Sequence, residues 1–192
     1  MEMRVDLTRD DRRDRDLVRR VADGDRDALG TLYDLHAERL FSHALWLGAR
    51  RADAEDAVQA AFVKLAGMGA DLLAIRKPRP YLHQIVRAAV IDMLRKQASR
   101  AEEPLAGAIL VNGGAGPDEQ LERRDLVRAL GTLPVAQREA ILLHLVQGIT
   151  FREIGRIASV STFTAASRYR LGLERLRRTL ISRLSNSRSN LA

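Results

Sequence analysis

The stretch Thr150–Leu180, TFREIGRIASVSTFTAASRYRLGLERLRRTL, constrains this chain more than any other. It predicts two helices joined by a short turn. Thr150 stands where an N-cap belongs, and Glu153 completes a T-x-x-E capping box. Ile154 and Ile157 form a short apolar stripe, and Gly155 between them permits close approach of a second helix. Ala158–Ser161 interrupts the pattern, with Ser161 as a fresh N-cap candidate. From Thr162 onward Ala165, Tyr169, Gly172, Leu173, Leu176 and Leu180 recur at helical spacing. Between them stand Arg168, Arg170, Arg175, Arg177 and Arg178. A short helix, a tight turn and a basic second helix opening on small polar residues is the helix-turn-helix pattern.

That arrangement suits duplex DNA for geometric reasons. A helix fits the major groove, and its first turns reach the base edges. Thr162, Thr164 and Ser167 are short enough to lie near bases or phosphates. The helix N-terminus favours a phosphate through its dipole and its unsatisfied amides, and the later arginines neutralise the backbone. A helical hairpin with a solvated basic face has the same pattern, so this stretch alone leaves both readings open.

Charge points the same way. The formal net charge is +7, carried almost wholly by arginine, which implies an anionic partner: nucleic acid or an acidic protein surface. Residues are 46% hydrophobic but only 4% aromatic, so cores must be built from Leu, Ala, Ile and Val. At 192 residues the chain makes one or two small domains. With no cysteine, disulfides, thiolate metal sites and a cysteine nucleophile are excluded, which fits a reducing cytoplasm. The N-terminus MEMRVDLTRDDRRDRD is too charged for a signal peptide, and no apolar run is long enough to span a membrane.

Periodicity predicts an all-α chain of two small helical domains. Residues 1–14 read as a disordered tail of mixed charge. A first domain over 15–100 opens with a short helix, Asp16–Ala22, closed by Gly24. Asp25 or Asp27 caps a long helix with Leu29, Leu32, Tyr33, His36, Leu40, His43, Ala44 and Leu47 on one face, ended by Gly48. His36 and His43 lie two turns apart, but no further ligand accompanies them, so they read as packed histidines rather than a metal site. Asp53 is the expected cap of the next helix, whose core face is Ala54, Ala57, Val58, Ala61, Phe62 and Leu65. Its outward residues Asp56, Gln59, Ala60 and Val63 form a mixed face, suited to solvent or to another protein. Gly67–Arg79 reads as a loop, followed from Pro80 or Tyr81 by a helix with His83, Gln84, Arg87, Asp92, Arg95 and Lys96 on its polar side.

The stretch 101–117, with NGGAGP at its end, reads as a linker. The second domain, 118–184, has a helix Glu119–Gly131 carrying Leu121, Leu126, Val127 and Leu130. A second helix starts at Pro134, packs Ile141, Leu142, Leu145 and Val146, and ends at Gly148. The helix-turn-helix follows, and 185–192 reads as a frayed tail.

Taken in order, these stretches resemble a known family. DLVRRVADGDRDALGTLYDLHAERL, ADAEDAVQAAFVKL and PYLHQIVRAAVIDMLRKQ resemble region 2 of a bacterial sigma factor. LPVAQREAILLHLVQGITFREIGRIASVSTFTAASRYRLGLERLRRTL resembles region 4. The order, and the absence of a domain between the two, match the extracytoplasmic-function subgroup. The resemblance implies a dissociable subunit of core RNA polymerase. It places Asp56, Gln59, Phe62 and Val63 against the clamp coiled coil of the largest subunit. It places Lys77, Tyr81, Arg87, Arg95 and Lys96 on the −10 promoter element, with the loop before that helix holding a flipped base. It gives the −35 element to Arg152, Ser161, Thr162, Phe163 and Thr164, and further along the helix to Ser167, Arg168 and Arg170. The other side of region 4 would meet the flap of the second-largest subunit, the linker would thread toward the RNA exit path, and an anti-sigma factor is a further partner. No catalytic residue, cofactor or metal is implied.

The chain departs from the family pattern at five positions. Ala88 replaces a common asparagine, Tyr81 a usual tryptophan and Ser159 the turn glycine, where a left-handed backbone would carry a modest penalty. Ala166 replaces a frequent basic residue and Phe163 a small one; either these two meet a thymine methyl or they pack. The departures bear on base contacts, and so on promoter sequence, rather than on fold. A helix-turn-helix regulator acting without polymerase would explain Thr150–Leu180 but leave the Asp53–Leu65 and Tyr81–Arg100 stretches without a role. An enzyme such as a nuclease would need clustered acids or histidines, and the sequence has none.

Overall fold

A computed structural model describes residues 7–99 and 117–189. Every regular element among the described residues is helical, and they form two domains. The first contains α1 (Leu7–Ala22), α2 (Arg26–Leu47), α3 (Arg51–Ala66) and α4 (Pro78–Ser99), with a short 3₁₀ turn at Gly69–Ala74. The second contains α5 (Pro117–Gly131), α6 (Val135–Ile141, continuing as a π turn over Leu142–Val146), α7 (Phe151–Ile157) and α8 (Thr162–Ser189).

Local sequence explains most of the element ends. Asp25 caps α2, its carboxylate accepting from the Ala28 amide at 3.0 Å. At the other end Gly48 takes φ 105° and returns its amide to the last turn. In α3 the predicted stripe Ala54, Ala57, Val58, Ala61, Phe62 and Leu65 is buried in full, against α2 and α4. Asp53 does not cap this helix, which already starts at Arg51. It accepts instead from Gln97 Nε2 at 3.1 Å, tying α3 to the end of α4.

The expected tail over 1–14 is helical from Leu7 on. Two forces override its mixed charge. Leu17, Val18 and Val21 are buried in the first core, and Asp14, itself only 3% exposed, lies 3.0 Å from His36 Nε2. The region 67–79 also holds more structure than a loop, since the 3₁₀ turn buries Leu72 and α4 begins already at Pro78. The expected linker over 101–117 lies outside the described residues apart from Pro117, the first residue of α5. At the far end α8 extends to Ser189, past the expected start of fraying at 185.

The π turn corrects a second expectation. Leu145 and Val146, predicted to pack, are 62% and 67% exposed, while Leu143 is fully buried. The wider turn rotates the helix face by about one residue, so the apolar periodicity breaks at Leu142. Similarly Leu126, expected on the packed face of α5, is 41% exposed.

The two domains share a buried face. Trp46 of α2 is 6% exposed and sits among Leu130, Leu133, Ile141 and Leu142 of the second domain. Arg138 Nε donates to the Trp46 carbonyl at 2.7 Å, and Gln147 Nε2 donates to the Arg39 carbonyl at 3.0 Å. α4 packs against α7 across the same face.

The α7 cap supplies a test of the fold. The Glu153 amide donates to Thr150 Oγ1 at 3.3 Å, and the Thr150 amide donates to Glu153 Oε2 at 3.1 Å, completing the capping box. Thr150→Ala should lower stability by roughly 1 kcal/mol, the ordinary value of a lost N-cap. Urea unfolding followed by circular dichroism reads this as a lower midpoint; an unmoved midpoint removes the cap from the list of stabilising contacts.

Candidate nucleic-acid interface

The helix-turn-helix is set by two tight spots. Ser159 adopts φ 54°, the left-handed conformation that sequence comparison with the family predicts at the glycine position. A Cβ on Gly155 would meet the Val160 carbonyl oxygen at 2.7 Å, so only glycine lets the turn fold back this closely. Beneath them Leu143, Ile149, Ile154, Ile157 and Ala165 form the motif's own core. His144 stacks on Phe151 with ring centroids 3.9 Å apart and meets the edge of Tyr169, and its Nδ1–H donates to the Ile149 carbonyl at 2.9 Å.

α8 is thereby presented by its N-terminus. Ser161 caps it, accepting from the Thr164 amide at 3.0 Å. Ser161, Thr162 and Phe163 are exposed, Phe163 at 77%. Phe163 and Arg170 are exposed on the outward side of the helix, Thr164, Ser167 and Arg168 lie half-buried between them, and Arg152 is exposed at the start of α7. The opposite side of α8 packs so closely on α6 that a Cβ at Gly172 would lie 2.9 Å from Ile141 Cδ1.

The five residues expected on the −10 element do not share one free surface. Arg95 and Lys96 are exposed on α4, with Lys96 2.8 Å from Asp92. Tyr81 is half-buried against the first core, its hydroxyl 3.4 Å from Met68 Sδ. Arg87 turns toward the second domain, where its Nε donates to Glu139 Oε1 at 2.8 Å. Lys77 pairs with Asp11 of α1 and lies 3.7 Å from Glu153 of α7. The segment before α4 also borders a cleft of about 260 Å³ against α1, where Arg15, Arg19 and Arg76 surround apolar Leu72, Leu73 and Ile75.

On α3, Asp56, Gln59 and Val63 form an exposed stripe, Val63 at 69%. Asp56 and Gln59 line a groove of about 470 Å³ between α2 and α3, shared with Tyr33, Glu38, Phe41 and Arg51. Phe62 does not join that surface: it is 5% exposed, lying edge-on beneath Tyr33 with centroids 5.0 Å apart. It supports the groove from below. Tyr33, which α2 periodicity places inside, is 43% exposed because Phe62 already fills the space behind it.

A buried polar chain runs behind Arg87. His83, placed by periodicity on the polar side of α4, is 1% exposed. Its Nδ1 lies 3.1 Å from Nδ1 of His43, whose Nε2 is 3.1 Å from Glu139 Oε1. The contacts are met when His43 Nε2–H donates to Glu139 and a single proton lies between the two facing Nδ1 atoms. Glu139 is 1% exposed, and although burial alone pushes its pKa up, the hydrogen bonds and attraction of His43 and Arg87 together hold it below the ordinary glutamate value. His83 goes the other way. Burial pushes its pKa well below the ordinary histidine value, and His43, Arg79, His36 and Arg39 add repulsion. Among the described residues no group of three or more His, Asp or Glu is placed to hold a metal ion.

Neutral His83 has a consequence for pH. Unfolding releases the ring to water, where it takes up a proton below about pH 6.5. The unfolded state then binds more protons than the folded one, so stability present above that value is lost as pH falls through it. Urea midpoints measured from about pH 7.5 to 5.5 should fall in the wild type, and the decline should be shallower in His83→Gln. Parallel declines would assign the pH dependence to other groups.

The chain matches two known families along its length. Sigma-70 region 2 matches residues 32–100, and sigma-70 region 4 matches residues 123–176. The RNA polymerase sigma factor CarQ of Myxococcus xanthus is 31% identical over 165 residues, covering 85% of this chain and 95% of that protein. The extracytoplasmic-function sigma factor SigM of Mycobacterium tuberculosis is 31% identical over 173 residues, covering 90% and 87%. In fold, the chain resembles CnrH as solved in complex with the cytosolic domain of CnrY, with TM-score 0.67 and 24% identity over 88% of this chain and 98% of that one. It also resembles RpoE of Bartonella quintana, solved with the anti-sigma factor NepR, with TM-score 0.63, 24% identity and coverage of 79% and 95%. With both sigma-70 regions in order and relatives matched over nearly their whole length, this chain belongs to the extracytoplasmic-function sigma factors of RNA polymerase.

Proposed function

We propose that this chain binds core RNA polymerase, recognises the −35 and −10 promoter elements, and promotes strand opening. The observation that carries the reading is the pairing, in one chain, of a capped and outward-facing α8 N-terminus with an exposed Asp56–Gln59–Val63 stripe bordering a groove on the other domain. The first is suited to duplex DNA, the second to a protein.

In this reading α8 enters the major groove at the −35 element. Ser161, Thr162, Phe163 and Thr164 lie at the base edges with Ser167, and Arg152, Arg168 and Arg170 meet the flanking phosphates. Phe163 offers an apolar face to a thymine methyl. α4 and the preceding segment take the −10 element through Lys77, Tyr81, Arg87, Arg95 and Lys96. The cleft ringed by Arg15, Arg19 and Arg76 combines an apolar floor with cations, which suits a base turned out of the stack. Asp56, Gln59 and Val63 dock on the clamp coiled coil, with Phe62 holding Tyr33 in place beside them.

No catalytic residue enters this scheme. Stacking worth about 1–3 kcal/mol per base offsets the lost base steps, so binding energy that favours the opened strand is sufficient. The protein acts in the cytoplasm, where its polymerase partner works; no helix among the described residues is long and apolar enough to cross a membrane. The solved relatives bound to CnrY and NepR support an anti-sigma partner for this chain as well.

Two measurements test the assignment. Asp56→Ala and Gln59→Ala change exposed groups and should leave the fold nearly unchanged. At a protein contact each truncation should cost about 1 kcal/mol or more of affinity. Fluorescence anisotropy should show both variants losing competition for core polymerase, with run-off transcription from pooled genomic fragments falling in step. A wild-type chain that binds duplex DNA tightly and never associates with core would make this a plain DNA-binding regulator.

Arg168→Ala probes the other domain. It should weaken duplex binding and reduce the log–log salt dependence by about one unit, the signature of one lost phosphate contact. A preserved slope with altered sequence preference would make Arg168 a base reader.

A further inference from the structure

From Ser161 to Ser167 the opening turns of α8 contain no arginine, lysine, asparagine or glutamine. Those are the side chains whose paired hydrogen bonds single out guanine or adenine in the major groove. The hydroxyls that stand there instead are partly committed. Ser161 Oγ accepts from the Thr164 amide at 3.0 Å and lies 2.9 Å from Thr164 Oγ1, so both oxygens serve the cap. Thr164 and Ser167 are half-buried, which leaves Thr162 as the exposed hydroxyl outside the cap.

Phe163 is the large side chain of this group. It is 77% exposed and belongs to none of the apolar cores among the described residues. In helical phase it lies opposite Ala165 and Gly172. Ala165 is fully buried, and Gly172 is the point where α8 lies directly on Ile141 and Gln137 of α6. The packing of α8 on its own domain therefore aims Phe163 outward. Ala166, three residues on and so a neighbour on the helix surface, offers only a methyl group. On a base-pair edge in the major groove the apolar feature is the C5 methyl of thymine. A ring laid on that methyl removes the apolar surface of both from water.

We propose that Phe163 is the residue by which this chain selects its −35 element, and that it selects by a thymine methyl instead of by base hydrogen bonds. The inference rests on the proposed function, which brings α8 to duplex DNA, and it names what the helix reads there. The phosphate contacts of Arg168 and Arg170 fix the depth and register of α8 without favouring any base. Phe163 then discriminates by fit: a thymine beneath the ring fills the space, and any other base leaves the ring facing water or a polar edge.

The test uses the full-length chain bound to core polymerase, with core alone as the control. A duplex pool of random sequence is enriched on each. Sequences gained only with the chain are resynthesised with deoxyuridine in place of thymidine, one position at a time. Deoxyuridine keeps every hydrogen-bonding group of thymidine and lacks the methyl. At one position the wild type should lose about fourfold in affinity, the worth of one buried methylene-sized group. Phe163→Ala truncates an exposed side chain, so far-ultraviolet circular dichroism should be unchanged, and it should bind the thymine and uracil forms equally. Indifference of the wild type to uracil at every position overturns the proposal and leaves −35 recognition in place. A uracil effect undiminished in Phe163→Ala also overturns it, because another side chain then reads the methyl. Enrichment no different from that of core alone removes −35 recognition itself, and the proposal with it.

Discussion

A carboxylate with 1% exposure has to be compensated where it lies. For Glu139 the compensation comes entirely from another domain, through Arg87 and His43 on two different helices. That requirement positions α6 against both α2 and α4 at once. It also explains the neutral histidine behind it: His83 completes the hydrogen bonding of His43, and a second charge there would stand beside Arg79 and Arg39 with no acid of its own. Breaking a buried pair by removing one partner costs about 3–5 kcal/mol because the other charge is stranded. The contact therefore separates as a unit, with all its members reaching water together, or stays closed.

The second domain meets that demand because its own parts are held tightly. Gly155 lets the turn fold onto Val160, and Gly172 lets α8 lie directly on Ile141 and Gln137 of α6. α6 carries Glu139 on one side and supports α8 on the other. The helix that would read duplex DNA and the carboxylate that faces the first domain thus move as one body. The left-handed Ser159 sits in that same turn, between the close approach of Gly155 to Val160 and the Ser161 cap of α8.

How much of this was legible in the chain follows from the range of each interaction. Caps and stripes are local, so Asp25, Gly48, Thr150, Ser161 and the core face of α3 could all be read from neighbours within a turn or two, whereas the left-handed Ser159 was suggested only by the family resemblance. Features set by distant partners could not. His83 sits at a position that helical periodicity marks as polar, and only His43, forty residues away in sequence, makes it a core residue. Glu139 and Trp46 carry no local sign of their role, because the partners of each lie in the other domain. The mixed-charge stretch that opens α1 misleads for a related reason: Asp14 is buried beside His36 of α2, a partner no neighbouring residue announces. At the candidate sites the outward Asp56 and Gln59 were legible from helical phase, whereas the exposure of Phe163, left open between packing and DNA contact, and the engagement of Arg87 and Lys77 were not. The π turn at Leu142 shifts that phase without any glycine or proline to announce it, which moves Leu145 and Val146 outward.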